Sequence, residues 1–196
     1  MPRIDPIDPT LATGDTAVHL ASVRKMLGGT PNLFTTAAHS PAALGALVSL
    51  FTFAGRASID GRRGEQIAIA IAQQNGCGYC LSAHTALGTL HGVEPAALAS
   101  ARSATSSDAR TAALLALAVA VNQSRGHIDD ATLDAARSAG LSDAQIVDVV
   151  FLVALNVFTN YLNSVAGTTI DFPVVPLDAD DESAFPLDDA VPAPAL

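Results

Sequence analysis

Apolar residues recur every three or four positions through most of the chain, and the breaks between these stretches fall at Gly, Pro or capping residues. Ala17 to Leu27 is amphipathic and closes at Gly28-Gly29. Ser40-Pro41 supplies an N-cap followed by proline at the first helical position, which predicts a helix to about Ala54, and Pro31 to His39 adds a short turn of helix before it. The run Arg62 to Asn75, RRGEQIAIAIAQQN, alternates large and small side chains as a strand does. Its centre is nonetheless wholly apolar and rich in Ala, a poor strand former, so a helix is predicted there. Gly76 interrupts, and Tyr79 to Leu90 forms the next helix, ended by Gly92, with Cys77 at or just before its first turn. Glu94 to Ala101 is a short helix. Ser107 can cap a helix from Asp108 to about Gln123, whose centre AALLALAVAV is apolar on all sides and must be buried or lie in a subunit interface. Asp130 to Ser138 closes at Gly140, and Ser142 with Gln145 has the spacing of a capping box opening a helix that reaches Val165 before Gly167. The pattern gives an all-α chain of about eight helices with no convincing strand.

The two ends differ from this body. Residues 1–15 carry three prolines and little periodicity, which predicts an extended arm that lies on a neighbouring subunit. After Gly167 come five prolines and seven acids without a Lys or Arg, so 176–196 is expected to be an acidic, Pro-rich tail. The stretch Ile170 to Val175 is apolar enough to pack on the body or on a partner subunit. Residues 16–175 are then a single helical domain. Ala and Leu dominate the composition, only 5% of residues are aromatic, and 49% are hydrophobic, which is ample for one core.

The formal charge of −9, with only ten Lys and Arg spread along the chain, argues against nucleic acid as a partner. The N-terminus MPRIDPIDPT lacks the basic start and apolar stretch of a secretory signal. The longest apolar runs fall short of the roughly 18 residues that span a bilayer, so a soluble, cytoplasmic protein with no membrane partner is expected. Two cysteines spaced by two residues cannot staple a large fold, and in a reducing compartment such a pair is more often catalytic or metal-binding.

Chemistry concentrates in EQIAIAIAQQNGCGYCLSAH, from Glu65 to His84. Cys77 and Cys80 are three apart, so in a first helical turn their sulfurs can reach bonding distance and alternate between dithiol and disulfide. His84, four residues past Cys80, lies one turn on along the same face, where its ring can exchange a proton with a thiol or a bound oxygen. Glu65 is on the preceding helix and can meet His84 across the turn at Asn75-Gly76. Lowering a thiol pKa from about 8.5 to about 6.5 raises its thiolate fraction at neutral pH roughly 25-fold, but makes the thiolate roughly 6- to 10-fold less nucleophilic. General acid catalysis contributes about 10² to 10⁴, so proton delivery through Glu65 and His84 to a leaving alkoxide is the larger effect.

Glu65, then Cys77 twelve residues on in a C-x-x-C pair with Cys80, then His84 four past the second cysteine, resembles the signature of the alkylhydroperoxidase D-like members of the carboxymuconolactone decarboxylase family. The similarity extends from about Pro31 to IDFPVV at 170–175, which looks like the end of the peroxidase-related branch. The resemblance implies an all-helical fold assembled as a dimer, trimer or hexamer, and hydroperoxide reduction without metal, haem or other cofactor. Cys80 would attack the peroxide, Cys77 would resolve the sulfenic acid, and an external thiol or lipoyl-type reductant would reset the pair. One residue departs: the antioxidant enzyme has a second His where this chain has Tyr79, and a phenol shuttles protons poorly near neutral pH.

Weaker readings stand beside this one. Alone, Glu65 reads as a surface ion-pair partner of Arg62, and Tyr79 as a packing residue. His91, seven past His84, shares its helix face and is a supporting candidate, whereas His19, His39 and His127 have no spaced partners. A zinc site of Cys77, Cys80, His84 and Glu65 is possible by ligand type but lacks a second cysteine pair. The decarboxylase branch lacks the thiol pair. A helical oligomer that only senses oxidation is the non-catalytic alternative.

Overall fold

A computed structural model describes residues 1–177. Among them are nine helices and no strand: α1 (Gly14–Leu27), α2 (Asn32–Ala37), α3 (Pro41–Ala54), α4 (Gly61–Gln74), α5 (Gly78–Leu90), α6 (Pro95–Arg102), α7 (Ala109–Gln123), α8 (Asp130–Ser138) and α9 (Asp143–Ala166). The ninth element relative to the sequence count is α2, a full helix rather than a turn, with all but its first residue buried.

The ends of the helices follow their side chains. Ser40 accepts from the Ala43 amide with Pro41 next in line, and Ser142 and Gln145 close a complete capping box. At α7 the cap is Asp108 rather than Ser107: its carboxylate accepts from the Thr111 amide at 2.9 Å and hydroxyl at 2.6 Å. These bonds, the Thr111 hydroxyl first, with that of Arg63, hold the Asp108 carboxyl down at about 2.

Helix α4 is the centre of the domain, packing on α5, α6, α7 and α9. Its alternating stretch, Ile67 to Ala72, is buried on every side, which explains why a helix carries a strand-like pattern. The large Ile side chains fill the core while Ala lets neighbouring helices approach. Gly88 of α5 serves the same end, because a Cβ there would lie 2.6 Å from Leu98 Cδ2 and 3.6 Å from Glu65 Cβ. Helix α9 is long and apolar enough in composition to cross a membrane, yet its buried face packs on α2, α3, α4, α5 and α7 and includes Asn156, Thr159, Asn160 and Asn163. It is a core helix.

The N-terminal arm is hydrogen-bonded to its own domain. The Arg3 and Ile4 amides donate to the Ala166 carbonyl at 2.7 and 3.1 Å, and the Ile7 amide donates to that of Thr35 at 3.2 Å. The arm thereby satisfies a carbonyl, that of Ala166, which the C-terminal turn of α9 leaves open. After α9, residues 168–177 cross the start of α5: the Val175 amide donates to Ser82 Oγ at 3.0 Å and Arg102 to the Pro176 carbonyl at 2.9 Å. The expected acidic tail lies, from 178 on, outside the described residues.

Truncating the fully buried Ile69 to Ala is expected to lower stability by about 2–5 kcal/mol. Ser142→Ala, which opens the capping box, should cost only about 1 kcal/mol, both read from urea unfolding midpoints.

Candidate active site

The site is built at the turn between α4 and α5. Asn75 ends α4, Gly76 takes a φ of +64°, and the Cys77 amide returns to the Ala72 carbonyl at 2.9 Å. A side chain at Gly76 would be disfavoured in that left-handed conformation, so glycine sets the reversal. The turn is held from below by amides: Asn75 donates to Asn160 of α9 at 3.0 Å and accepts from Asn122 of α7 at 3.0 Å.

This reversal puts Cys77 at the N-cap of α5 and Cys80 one turn inside, and the two are joined by a disulfide with Cα atoms 5.3 Å apart. The Cys77 sulfur takes the place of a capping oxygen, accepting from the Cys80 amide at 3.2 Å. Both cysteines are buried. Side-chain Nδ2 of Asn163, on α9, lies 3.3 Å from Cys80 Sγ.

His84 and Glu65 meet across the helix pair, Nδ1 to Oε2 at 2.7 Å, each side chain only 14% exposed. Burial at this level strengthens the pair relative to one in water. Arg62 is not the partner of Glu65; its guanidinium donates to the Gly92 carbonyl at 2.8 Å. His91, at the C-cap of α5, stands 3.7 Å from the other Glu65 oxygen and is half exposed. Glu65 therefore faces two imidazoles, one inward and one towards solvent.

Tyr79 is more than packing. Its hydroxyl accepts from the Leu33 amide at 3.1 Å and is hydrogen-bonded to the Asp171 carboxylate, which also accepts from the Asn32 amide at 2.8 Å. Its ring meets Phe172 edge to face at 5.8 Å. Burial, the largest cause, with the Asp171 carboxylate pushes the phenol well above its usual range. Tyr79 is thus a neutral strut between α5, α2 and the segment after α9.

A cavity of about 50 Å³ opens beside Cys80 and His84, walled by apolar side chains and by Thr159 and Asn163. Cys77 is not among its lining residues. Four of the chain's nine Phe and Tyr residues line it: Phe34, Phe51, Tyr79 and Phe172. On the other side of His84 a second cavity, about 190 Å³, is bounded by Glu65, His84, His91 and Asn156. Among the described residues, no group of three or more His, Cys, Asp or Glu is arranged to hold a metal ion.

Residues 41–113 match the model of the carboxymuconolactone decarboxylase family, a span that contains Glu65, both cysteines, His84 and His91. Over this segment the chain is similar to that family. The fold is that of known structures. A peroxidase-related protein from Ralstonia eutropha JMP134, described as an alkylhydroperoxidase AhpD core, superposes with a TM-score of 0.78 at 21% identity, covering 87% of this chain and 92% of that one. A peroxidase-related protein from Silicibacter sp. TM1040 gives 0.72 at 22%, covering 85% and 91%. The debrominase Bmp8 gives 0.73 at 23%, covering 86% and 91%. No curated protein gives a significant match. The sequence resemblance to alkylhydroperoxidase D-like proteins is supported by the family match over residues 41–113 and borne out in the fold.

The sequence reading missed Asn160 and Asn163. Their signal was present: Asn156, Thr159, Asn160 and Asn163 recur at helical spacing on the inward face of the long apolar α9.

Tyr79 yields a pH prediction. Above about pH 10 the unfolded chain releases the phenolic proton while the folded chain keeps it, so stability falls as pH rises through that range. Tyr79→Phe should show a shallower fall between about pH 8 and about pH 11 in urea midpoints. At neutral pH it should be about 1–3 kcal/mol less stable, because the Leu33 amide loses its acceptor.

Proposed function

We propose that the protein is a thiol-dependent hydroperoxide reductase acting on small apolar organic hydroperoxides. The observation that carries this reading is that Cys80 and His84 line one apolar cavity while Cys77, bonded to Cys80, stays behind it. In the reduced protein the Cys80 thiolate attacks the terminal oxygen of R–O–O–H. The O–O bond breaks, leaving Cys80 as S–OH and releasing RO⁻. His84 donates the proton that turns RO⁻ into ROH, and Glu65 stabilises and reorients the imidazole ring. The Cys77 thiolate then attacks the Cys80 sulfur, the S–S bond forms, and hydroxide leaves as water on protonation. A dithiol reductant of thiol or lipoyl type restores the pair, so that ROOH and the dithiol become ROH, water and the oxidised reductant.

His91 supports the relay from the solvent side, through its 3.7 Å approach to Glu65. With Tyr79 clamped as a neutral strut, Glu65 and His84 carry the proton traffic unaided by a second imidazole beside Cys80. The working form is a homo-oligomer. Val147, Val150, Ala154, Tyr161 and Val165 form an exposed apolar stripe along one face of α9, which suits contact between copies.

The aromatic wall of the cavity favours a second reading, reductive dehalogenation of an aromatic ring, as the name of the debrominase neighbour suggests. The same two thiolates would supply the electrons: Ar–Br, two thiolates and a proton give Ar–H, the disulfide and bromide.

The test is consumption of tert-butyl hydroperoxide or cumene hydroperoxide with a dihydrolipoyl reductant. Repeated turnover is expected, abolished in Cys80→Ser. Cys77→Ser should react with about one equivalent and stop, as expected for a sulfenic acid without its resolving thiol. His84→Gln and Glu65→Gln should lower kcat by about 10² to 10⁴. A single round of oxidation in the native chain would point to a redox sensor instead, and bromide release from tribromopyrrole without peroxide turnover to the dehalogenase.

A further inference from the structure

Asn163 is 3% exposed and sits in the wall of the cavity beside Cys80. Its two amide ends are used unequally. Nδ2 lies 3.3 Å from Cys80 Sγ, while Oδ1 is buried without any partner. A buried acceptor left open is costly, and native structures keep few of them. Of the side-chain atoms in this condition among the described residues, it alone belongs to a residue lining the cavity. The opposite amide orientation would set Oδ1 against the sulfur, two electron-rich atoms once Cys80 is a thiolate. The sulfur therefore selects the N–H end.

We infer that Asn163 is a further catalytic residue, which holds the two reacting partners with the two ends of one amide. This rests on the hydroperoxide reading of the site. In the reduced protein Nδ2–H donates to the Cys80 thiolate, a charge-assisted bond stronger than the one to a disulfide sulfur. The bond stabilises the anion in an apolar pocket, where a thiol would otherwise hold its proton. The open Oδ1 accepts the O–H of the hydroperoxide. That hydrogen bond turns the terminal oxygen towards Sγ and the R group towards the aromatic wall. On attack, the S–O bond forms and the O–O bond breaks. The O–H hydrogen remains on the transferred oxygen, now S–OH, and the alkoxide leaves to take its proton from His84. The substrate class follows: a ligand with one hydrogen-bond donor on the atom attacked and an apolar remainder. A dialkyl peroxide has no such donor.

The test separates the two ends of the amide. In the fully reduced chain, the pH midpoint of Cys80 alkylation by iodoacetamide, located by mass spectrometry, reads the thiolate without any peroxide. Asn163→Leu should move that midpoint up by about one unit, a tenfold smaller thiolate fraction below it. Asn163→Asp keeps the shape but offers a carboxylate to the sulfur, and should move it at least as far. If Asn163→Leu does not fold, Asn163→Asp carries the measurement. Rates are then compared for tert-butyl hydroperoxide and for an aryl disulfide, which has no O–H. The loss on the aryl disulfide should match the loss of thiolate, whereas the loss on the hydroperoxide should be about tenfold greater. An unmoved midpoint in a folded variant overturns the N–H contact, and equal losses on both electrophiles overturn the role of Oδ1. A native chain that is alkylated as expected but consumes no hydroperoxide overturns the peroxidase reading and the Oδ1 half with it, while the midpoint still decides the N–H contact.

Discussion

The reversal of the chain at Asn75-Gly76 is the constraint on which the site depends. It turns α5 back against α4, so that a carboxylate on one helix meets an imidazole on the other at 2.7 Å. It also leaves Cys77 at the helix cap, where its sulfur accepts the Cys80 amide. The reversal is rigid for identifiable reasons. Gly76 adopts a positive φ that other residues resist, and Asn75 is gripped by amides of α7 and α9. Buried amide pairs of this kind strengthen one another in a low-dielectric interior, and losing one member strands the other. A slip of one residue in this turn would rotate the start of α5 by about 100° and take Cys80 and His84 away from Glu65 together.

The same geometry shows what was readable in the chain and what was not. Helix ends were legible where a local signal decides them: Pro41 after Ser40, the box at Ser142 and Gln145, and the span Asp130–Ser138. The cap at α7 fell one residue later because Asp108 holds both the Thr111 amide and Arg63, a long-range contact that Ser107 cannot match. The proline-rich sequence of the arm records only that it is extended. Where it docks depends on carbonyls at Ala166 and Thr35, distant in the chain. Glu65 and His84 could be paired from spacing, since both lie on helices joined by one turn. Asn163 is 83 positions from Cys80, and only the packing of α9 brings them together. The hydrogen bonds of Tyr79 were hidden for a related reason: its partners, Leu33 and Asp171, sit far off on either side in sequence.

His84 stands between two unlike spaces, and this division bears on how the proposed cycle avoids waste. On one side the small cavity at Cys80 is apolar and aromatic. On the other, the larger cavity reaches Glu65 and the half-exposed His91. A proton arriving by way of His91 and Glu65 can reach His84 Nδ1 without water entering the cavity at Cys80. The ring must then give up a proton from its far nitrogen, so each turnover changes which nitrogen carries hydrogen, and Glu65 is placed to restore it. A direct water path to the sulfur would instead solvate the thiolate and weaken every electrostatic contact on which attack depends. In the proposed cycle the carboxylate–imidazole pair separates the cavity at Cys80 from the one that reaches His91. In that cycle a carboxylate and an imidazole, each side chain only 14% exposed, have a reason to be kept beside a core made mostly of Ala, Leu, Ile and Val.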